Sequence, residues 1–417
     1  MVRTHKGLRI WHKIIIALLV LVVGAGVGAY VYVNNMLDNL DKVDVDKDKL
    51  GIVDVDGYVN FLIMGVDSRD MNDFKGSRTD ALILVSLEEK TNKVKLTSIY
   101  RDTMLKMGNT EQYDKITHAF ANGGPANTVK SINQSLDIDI DKFVVINWKT
   151  VVDMVDAAGG VTLDIEDYEI EEMNGCTEET AAVVGNKNLK LVTSPGKQTV
   201  DGCQAVGYGR MRYGVGDDIK RTERMRIVIE SLLNKLKKSS PKKIDKVLKT
   251  TMPLIKTNIS KGDIFSLATR VPKFKVTKSA SFPYNYTGGM IDGVYYLIPN
   301  TLRESVVELH KKVFGQKEYQ PSQNVRQISQ KIENISSGSN YQVDPSVVPP
   351  KDEEQEKDNV QNENPQPNPD VTKPNTPPDQ KPEPQPQPQP SPEPEPEKPP
   401  EKPPTPSPGD SPSNPAG

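Results

Sequence analysis

Residues Ile14 to Val33 read IIIALLVLVVGAGVGAYVYV, twenty residues without a charge. That is the length an α-helix needs to cross the hydrocarbon core of a bilayer, so the chain is expected to be anchored in a membrane or exported through one. Gly24, Gly26 and Gly28 would weaken a helix in water but are common in membrane helices. Arg3, Lys6, Arg9 and Lys13 precede the run, while Asp38, Asp41, Asp44 and Asp46 follow it. Basic residues favour the cytoplasmic side. Residues 1–13 are therefore expected as a cytoplasmic arm, 14–33 as a single transmembrane helix, and all that follows as extracytoplasmic. A cleaved signal peptide competes with this type II reading. The run is longer than a signal h-region, however, and no A-x-A-like site follows it.

The other end is marked by proline. Pro349 to Gly417 holds 24 of the 33 prolines, with 14 acidic against 6 basic residues. Its charge is thus -8, and because the whole chain sums to -3, the rest carries +5. A segment such as KPEPQPQPQPSPEPEPEKPP cannot bury a core and is expected to stay disordered, with extended left-handed conformations. Fully extended it would span on the order of 200 Å. A solubilising tail and a spacer that contacts a polymer outside the membrane fit equally well. The organisation expected is a linker at 34–56, one α/β body at 57–316, a polar linker at 317–348 and the tail at 349–417.

Two cysteines are too few for a disulfide-stapled scaffold, so a hydrophobic core must hold the body. Only four histidines occur, with no HExxH or CxxC spacing, which argues against a zinc site. The absence of GxxxxGK[ST] argues against a P-loop nucleotide triphosphatase. Short apolar runs at Val59–Val66 and Ala81–Leu87 predict strands covered on both faces. Further strands are expected at Lys93–Ile99, Phe143–Asn147 and Val161–Ile165. Helices are expected at Asn127–Leu136, Trp148–Ala157, Asp218–Lys238 and Thr301–Phe314, with another capped by Ser260. Ile227, Ile229, Leu232, Leu233 and Leu236 would form the apolar face of the third. Strands alternating with helices give an α/β class with a central mixed β-sheet flanked by helices.

Arginine and aspartate gather beside the ends of these elements. Asp67 and Arg69 lie in GVDSR, Arg78 and Asp80 in GSRTD, and Arg101 and Asp102 in SIYRD. A fourth group runs from Arg210 to Arg224 in GRMRYGVGDDIKRTERMR. Several guanidinium groups converging with carboxylates suit a diphosphate, since each can fork onto phosphate oxygens. A carboxylate pair could hold a magnesium ion bridging the same oxygens. Arg221 and Arg224 share a helix face with Asp218, and Arg210 and Arg212 would point the same way if extended. Any one such pair alone reads more readily as a surface ion bridge worth at most about 1 kcal/mol. Nucleic-acid binding would also use arginines, but an extracytoplasmic location disfavours it.

The blocks LIMGVDSR, GSRTDALILVS, SIYRD, DKITHAFANGG, FVVINWKTVVDMVDAAGGV and VDGCQAVGYGRMR…DDIKRTERMR follow one another from Asn60 to Leu236. In this order they resemble the LytR-CpsA-Psr family. The resemblance implies a phosphotransferase that attaches undecaprenyl diphosphate-linked glycopolymer, such as teichoic acid or capsule, to peptidoglycan in a Gram-positive-type cell wall. It implies Mg2+ at Asp67 and Asp80, with Arg78 and Arg101 as catalytic residues beside them. Arg69, Arg210, Arg212, Arg221 and Arg224 would hold the diphosphate, and Asp102 and Asp218 would orient the basic groups. Asp67 or Asp80 would accept the hydroxyl proton. The family's apolar tunnel would draw on Leu82, Leu84, Phe143, Val145, Val151, Met154, Val155, Ile227 and Leu232, although each serves equally as packed core. Three residues depart from the family pattern. Tyr100 replaces proline before the Arg-Asp pair, Met225 replaces a glutamine, and Cys203 replaces a glutamate. With Cys176 the only other cysteine in an oxidising compartment, a Cys176–Cys203 disulfide is expected. A non-catalytic scaffold that holds the same lipid, and a hydrolase of its diphosphate, remain alternatives.

Overall fold

The computed structural model describes residues 41–67, 76–108, 110–212, 218–338, 340–345 and 347. The uncharged run, Arg69 and the proline-rich tail lie outside these residues. Among the described residues, no helix is long and apolar enough to cross a membrane.

The strands are β1 (Asp41–Lys42), β2 (Tyr58–Val66), β3 (Thr79–Glu88), β4 (Lys93–Ile99), β5 (Met104–Lys106), β6 (Tyr113–Lys115), β7 (Lys142–Ile146), β8 (Val161–Ile165) and β9 (Gly196–Val200). Then come β10 (Lys256–Thr257), β11 (Lys275–Val276), β12 (Ala280–Phe282), β13 (Tyr286–Ile291), β14 (Val294–Pro299) and β15 (Tyr341–Asp344). The main sheet runs β1-β10-β7-β2-β3-β4-β11, with β12 also paired to β4. It is mixed, as expected: β2–β3 and β3–β4 are antiparallel, whereas β2–β7 is parallel. Val161–Ile165 is a strand but does not belong to this sheet. It forms a separate antiparallel pair with β9.

The helices are α1 (Ile116–Ala121), α2 (Gly124–Leu136), α3 (Trp148–Ala158), α4 (Ile170–Val184), α5 (Gly202–Arg210), α6 (Asp218–Lys237), α7 (Pro241–Thr251), α8 (Lys261–Arg270), α9 (Leu302–Phe314) and α10 (Gln323–Ser336). Local chemistry fixes several ends. The Asn147 side chain accepts from Thr150 N to start α3, and Gly159 closes it in the left-handed conformation. Asp201 and Gln204 form a reciprocal capping box on α5.

Each face of the sheet has its own core. Leu62, Met64, Leu82, Leu84, Phe143 and Val145 pack with α1, α2, α9 and α10. Residues one position along the strands, such as Ile63, Val144 and Ile146, turn to α3, α5 and α6 on the other face.

The body is longer than 57–316. Leu50 and Val55 are buried in the first core, so the stretch before β2 belongs to the fold. Residues 317–348, expected as a polar linker, contain α10, which buries Val325, Ile328 and Ile332 in the same core. Their spacing of three and four lines one helix face inside an otherwise polar sequence. β15 then pairs with β13.

Helix α6 also departs from expectation. Ile227 is exposed, whereas Arg221 and Arg224 are buried together with Met225 and Val228. The arginines Arg221 and Arg224 of its first turns face inward, while Lys220 is exposed.

The expected disulfide is absent: Cys176 and Cys203 are both free. Cys203, in the first turn of α5, accepts a hydrogen bond from Asn186, just past the end of α4. Cys176 lies two turns back along α4, towards the level where the last residue of α5, Arg210, reaches Thr180 and Glu179. The two cysteines thus sit towards opposite ends of the α4–α5 contact. Denatured, non-reduced protein is expected to take up two equivalents of alkylating reagent by mass. A protein that takes up none would have the bridge.

Candidate active site

The site is built where β2 and β3 leave register. Gly65 pairs with Ala81 but Val66 pairs with Thr79, so Asp80 is the extra residue of a β-bulge. A bulge turns its unpaired residue out of the regular alternation. Here the Asp80 carboxylate meets the guanidinium of Arg101, from the turn after β4. Arg221 from α6 approaches the same carboxylate at 3.8 Å and Asp218 at 2.9 Å. Arg212 reaches Asp218 at 3.3 Å, and Lys115 pairs with Asp102 at 3.0 Å. Thus Asp80, Arg101, Asp102, Arg212, Asp218 and Arg221 come from four separate stretches of sequence to one place.

The cluster is short of hydrogen-bond partners. Among the described residues, Nε of Arg101 and Nε of Arg221 are buried without one. Buried guanidinium donors left open are costly unless an anion completes them. Burial raises the Asp218 carboxyl above its ordinary range, against the lowering by Arg212.

Two cavities lie to either side of the Asp80–Arg101 pair, Ala81 lining one and Arg101 the other. A polar pocket of about 440 Å³ is lined by Arg101, Asp102, Lys115, Arg212 and Asp218, and flanked by Met290 and Tyr295 from β13 and β14. A narrow apolar cavity of about 40 Å³ lies between the sheet and α3, α5 and α6. Gly65 of β2, with no side chain, and Ala81 opposite it in β3 leave room in its wall, alongside Ile63, Ile83, Val206 and Val228. Ala81 lines the apolar space while its neighbour Asp80 pairs with the arginine of the polar one.

Of the wall residues expected from the resemblance, only Val151 lines this cavity. Leu82, Leu84, Phe143 and Val145 pack on the opposite face of the sheet, because a shift of one residue along a strand reverses its side. Val155 and Leu232 are packed core beside the cavity, Met154 packs against that core, and Ile227 faces solvent. Met225 lines the apolar cavity, so its departure from glutamine alters that wall. Tyr100 is buried edge-on against Tyr286, with ring centroids 5.6 Å apart, and its hydroxyl is pushed up to about 12 by burial.

Not every expected site residue joins the cluster. Arg210 ends α5 and turns to Thr180 and Glu179 on α4, so it does not point with Arg212. Arg224 is held by buried Glu169 at 3.2 Å and by the Met211 carbonyl. Asp67 and Arg78 are exposed, joined by a backbone hydrogen bond from Asp67 N to Arg78 O. Sequence reasoning missed Lys115 and Tyr295. Lys115 stands in DKITHAF, one of the family-like blocks, and its ammonium lies 6.0 Å from the Tyr295 ring centre. It also missed Arg226, which ties α6 to the Ala280 carbonyl at 2.8 Å and Ser281 Oγ at 2.9 Å.

The sequence model described as the LytR_cpsA_psr family matches residues 27–312. An uncharacterized protein of Staphylococcus aureus is 30% identical over 251 residues, which is 58% of either chain, so the match spans less than two thirds of that relative. A Bacillus subtilis protein named polyisoprenyl-teichoic acid–peptidoglycan teichoic acid transferase TagU is 31% identical, over 68% of this chain and 87% of its own. A solved structure of TagT bound to LI-WTA aligns with a TM-score of 0.51 at 26% identity, covering 66% of this chain and 93% of that one. The mixed sheet flanked by helices is the fold they share.

Proposed function

Because the chain belongs to the LytR-CpsA-Psr family, we propose that it is a membrane-anchored phosphotransferase that moves a glycopolymer from undecaprenyl diphosphate to peptidoglycan. One observation carries this reading: Ala81 lines an apolar cavity while its neighbour Asp80 pairs with Arg101 and Arg221, whose Nε groups are buried without a partner among the described residues. A ligand with an apolar chain and a doubly anionic head matches both halves. The names of the teichoic acid transferases among its relatives support the same class of reaction.

In the step we propose, a hydroxyl oxygen of the wall sugar bonds to the phosphorus attached to the donor glycan. The bond from that phosphorus to the bridging oxygen breaks, and undecaprenyl monophosphate leaves. Arg101 and Arg221 stabilise charge developing on the phosphoryl oxygens, the term that dominates reactions of this kind. Asp80 is their counter-ion. We place the hydroxyl proton on Asp218 rather than on Asp67 or Asp80, because a raised carboxyl lining the polar pocket suits a general base. The diphosphate linkage supplies the activation, so no nucleotide is required.

We propose magnesium as the companion of the diphosphate. Among the described residues no group of three or more potential ligands occurs. Magnesium, however, is often held by one or two carboxylates together with substrate phosphates. Asp67 and Asp80, at the end of the β2–β3 pair, offer such carboxylates. When bound, the ion would neutralise charge on the diphosphate.

Ala81→Leu is expected to fill the cavity beside Gly65 and weaken polyprenyl diphosphate binding by at least about tenfold. Soluble diphosphate should bind as before, and calorimetry with both ligands checks the difference.

The reading is tested by incubating the full chain in detergent with a short-chain polyprenyl diphosphate glycan, magnesium and peptidoglycan oligomers. Glycan covalently joined to peptidoglycan is expected. Tight lipid binding without product would favour a scaffold, and released glycan phosphate without attachment would favour a hydrolase.

A further inference from the structure

The chain's positive charge is concentrated in one place. Seven lysines between positions 235 and 249 stand with a single acid, Asp245, for a local charge of +6. Residues 1–348 sum to +5, so this stretch accounts for the whole positive balance of the body.

Helix α7 sorts that charge onto one side. Val247 and Thr251 are buried, and Ile244 and Leu248 beside them are partly buried. Lys242, Lys246 and Lys249 recur at intervals of four and three, so they share the opposite face. All three are exposed. Lys249 also pairs with Asp245 at 3.1 Å yet keeps 51% of its side chain accessible. Lys243 turns the other way, its ammonium lying against Gly159 at the end of α3.

The location of this face is as informative as its charge. After a short 3₁₀ turn at Met252–Leu254, α7 leads into β10, whose Lys256 and Thr257 pair with Asp41 and Lys42 of β1. Asp41 is eight residues after Val33, the last residue of the uncharged run. Eight extended residues reach at most about 30 Å. The basic helix therefore lies at the edge of the body where the chain arrives from its proposed anchor.

We infer that the lysine face of α7 docks on anionic phospholipid headgroups of the leaflet in which the chain is anchored. This rests on the anchored reading given above. A negative membrane surface attracts juxtamembrane lysines, each worth about fivefold in affinity and only within about a Debye length. Wall polymers carry the same sign of charge, but they could be met on any side of the body. Only the membrane is confined to this edge. Because α7 packs into the same core as α3, which walls the apolar cavity, such docking would hold that cavity at a fixed height above the leaflet.

The test reconstitutes the full chain in nanodiscs of phosphatidylglycerol with phosphatidylcholine, and in discs of phosphatidylcholine alone. Lysines are then modified with a membrane-impermeant amine reagent and mapped by mass spectrometry. In the anionic discs, modification of Lys242, Lys246 and Lys249 is expected to fall about fivefold and to recover in high salt. Lys273 and Lys275, at the opposite edge of the sheet, should not change. Equal modification of α7 in both discs would overturn the proposal. Protection that appears only when soluble teichoic acid is added would overturn it in favour of a wall-polymer site. A chain that enters neither kind of disc would instead overturn the anchor, visible as protein separating from the discs, and this proposal with it.

Discussion

Arg101→Ala is expected to lower glycan transfer by about 10²–10³-fold, the usual cost of losing one donor aimed at developing charge. The effect should fall on turnover more than on the thermal midpoint. Arg101 lies at the rim of the polar pocket rather than in either core, and Asp80 keeps Arg221 at 3.8 Å as a second cation. Arg101→Lys should recover part of the activity at most. An ammonium keeps the charge but not the planar fork that spans two phosphate oxygens. Initial rates and thermal melts of the three proteins check this. A mutant that loses stability and activity together would mark Arg101 as a structural ion-pair residue.

Glu169→Gln is expected to destabilise the body by about 3 kcal/mol, and to lower its melting temperature by about 10 °C. Glu169 and Arg224 are both buried and lie 3.2 Å apart. Glutamine still offers an oxygen to the Glu166 amide, so the capping box survives and the lost carboxylate is tested by itself. Removing one member of a buried pair leaves the other charge in a poor medium, which costs more than removing both. The double mutant Glu169→Gln, Arg224→Met should therefore regain much of the stability. A single mutant within about 1 kcal/mol of the parent would show that Arg224 draws its stability from elsewhere. Denaturant titration measures all three proteins.

Elements with strong local chemistry were legible in the sequence. The helix Trp148–Ala158 ends where Asn147 and Gly159 place its caps. The carboxylates and arginines of SIYRD and DDIKRTER were legible as candidates because they flank those elements. Three things were not. β3 is buried at nearly every position from Ala81 to Leu87, so no alternation tells which residues face the cavity and which the opposite core. The bulge at Asp80 depends on pairing with β2, a contact that no local pattern encodes. Arg210, Arg221 and Arg224 look alike in sequence, yet tertiary packing sends the first to α4, the second to Asp80 and Asp218, and the third to Glu169. The cysteines teach the same lesson: a count of two and an oxidising compartment suggested a bridge that the antiparallel ends of α4 and α5 do not form.

The central claim is that the apolar cavity and the arginine cluster form one binding site. A crystal structure with a short polyprenyl diphosphate tests it most directly. The account expects the prenyl chain against Ile83, Val206 and Met225, with the diphosphate on Arg101 and Arg221 and the bulge at Asp80 between them. Lipid bound elsewhere, with the cavity empty and the two arginines still turned only to Asp80 and Asp218, would contradict it.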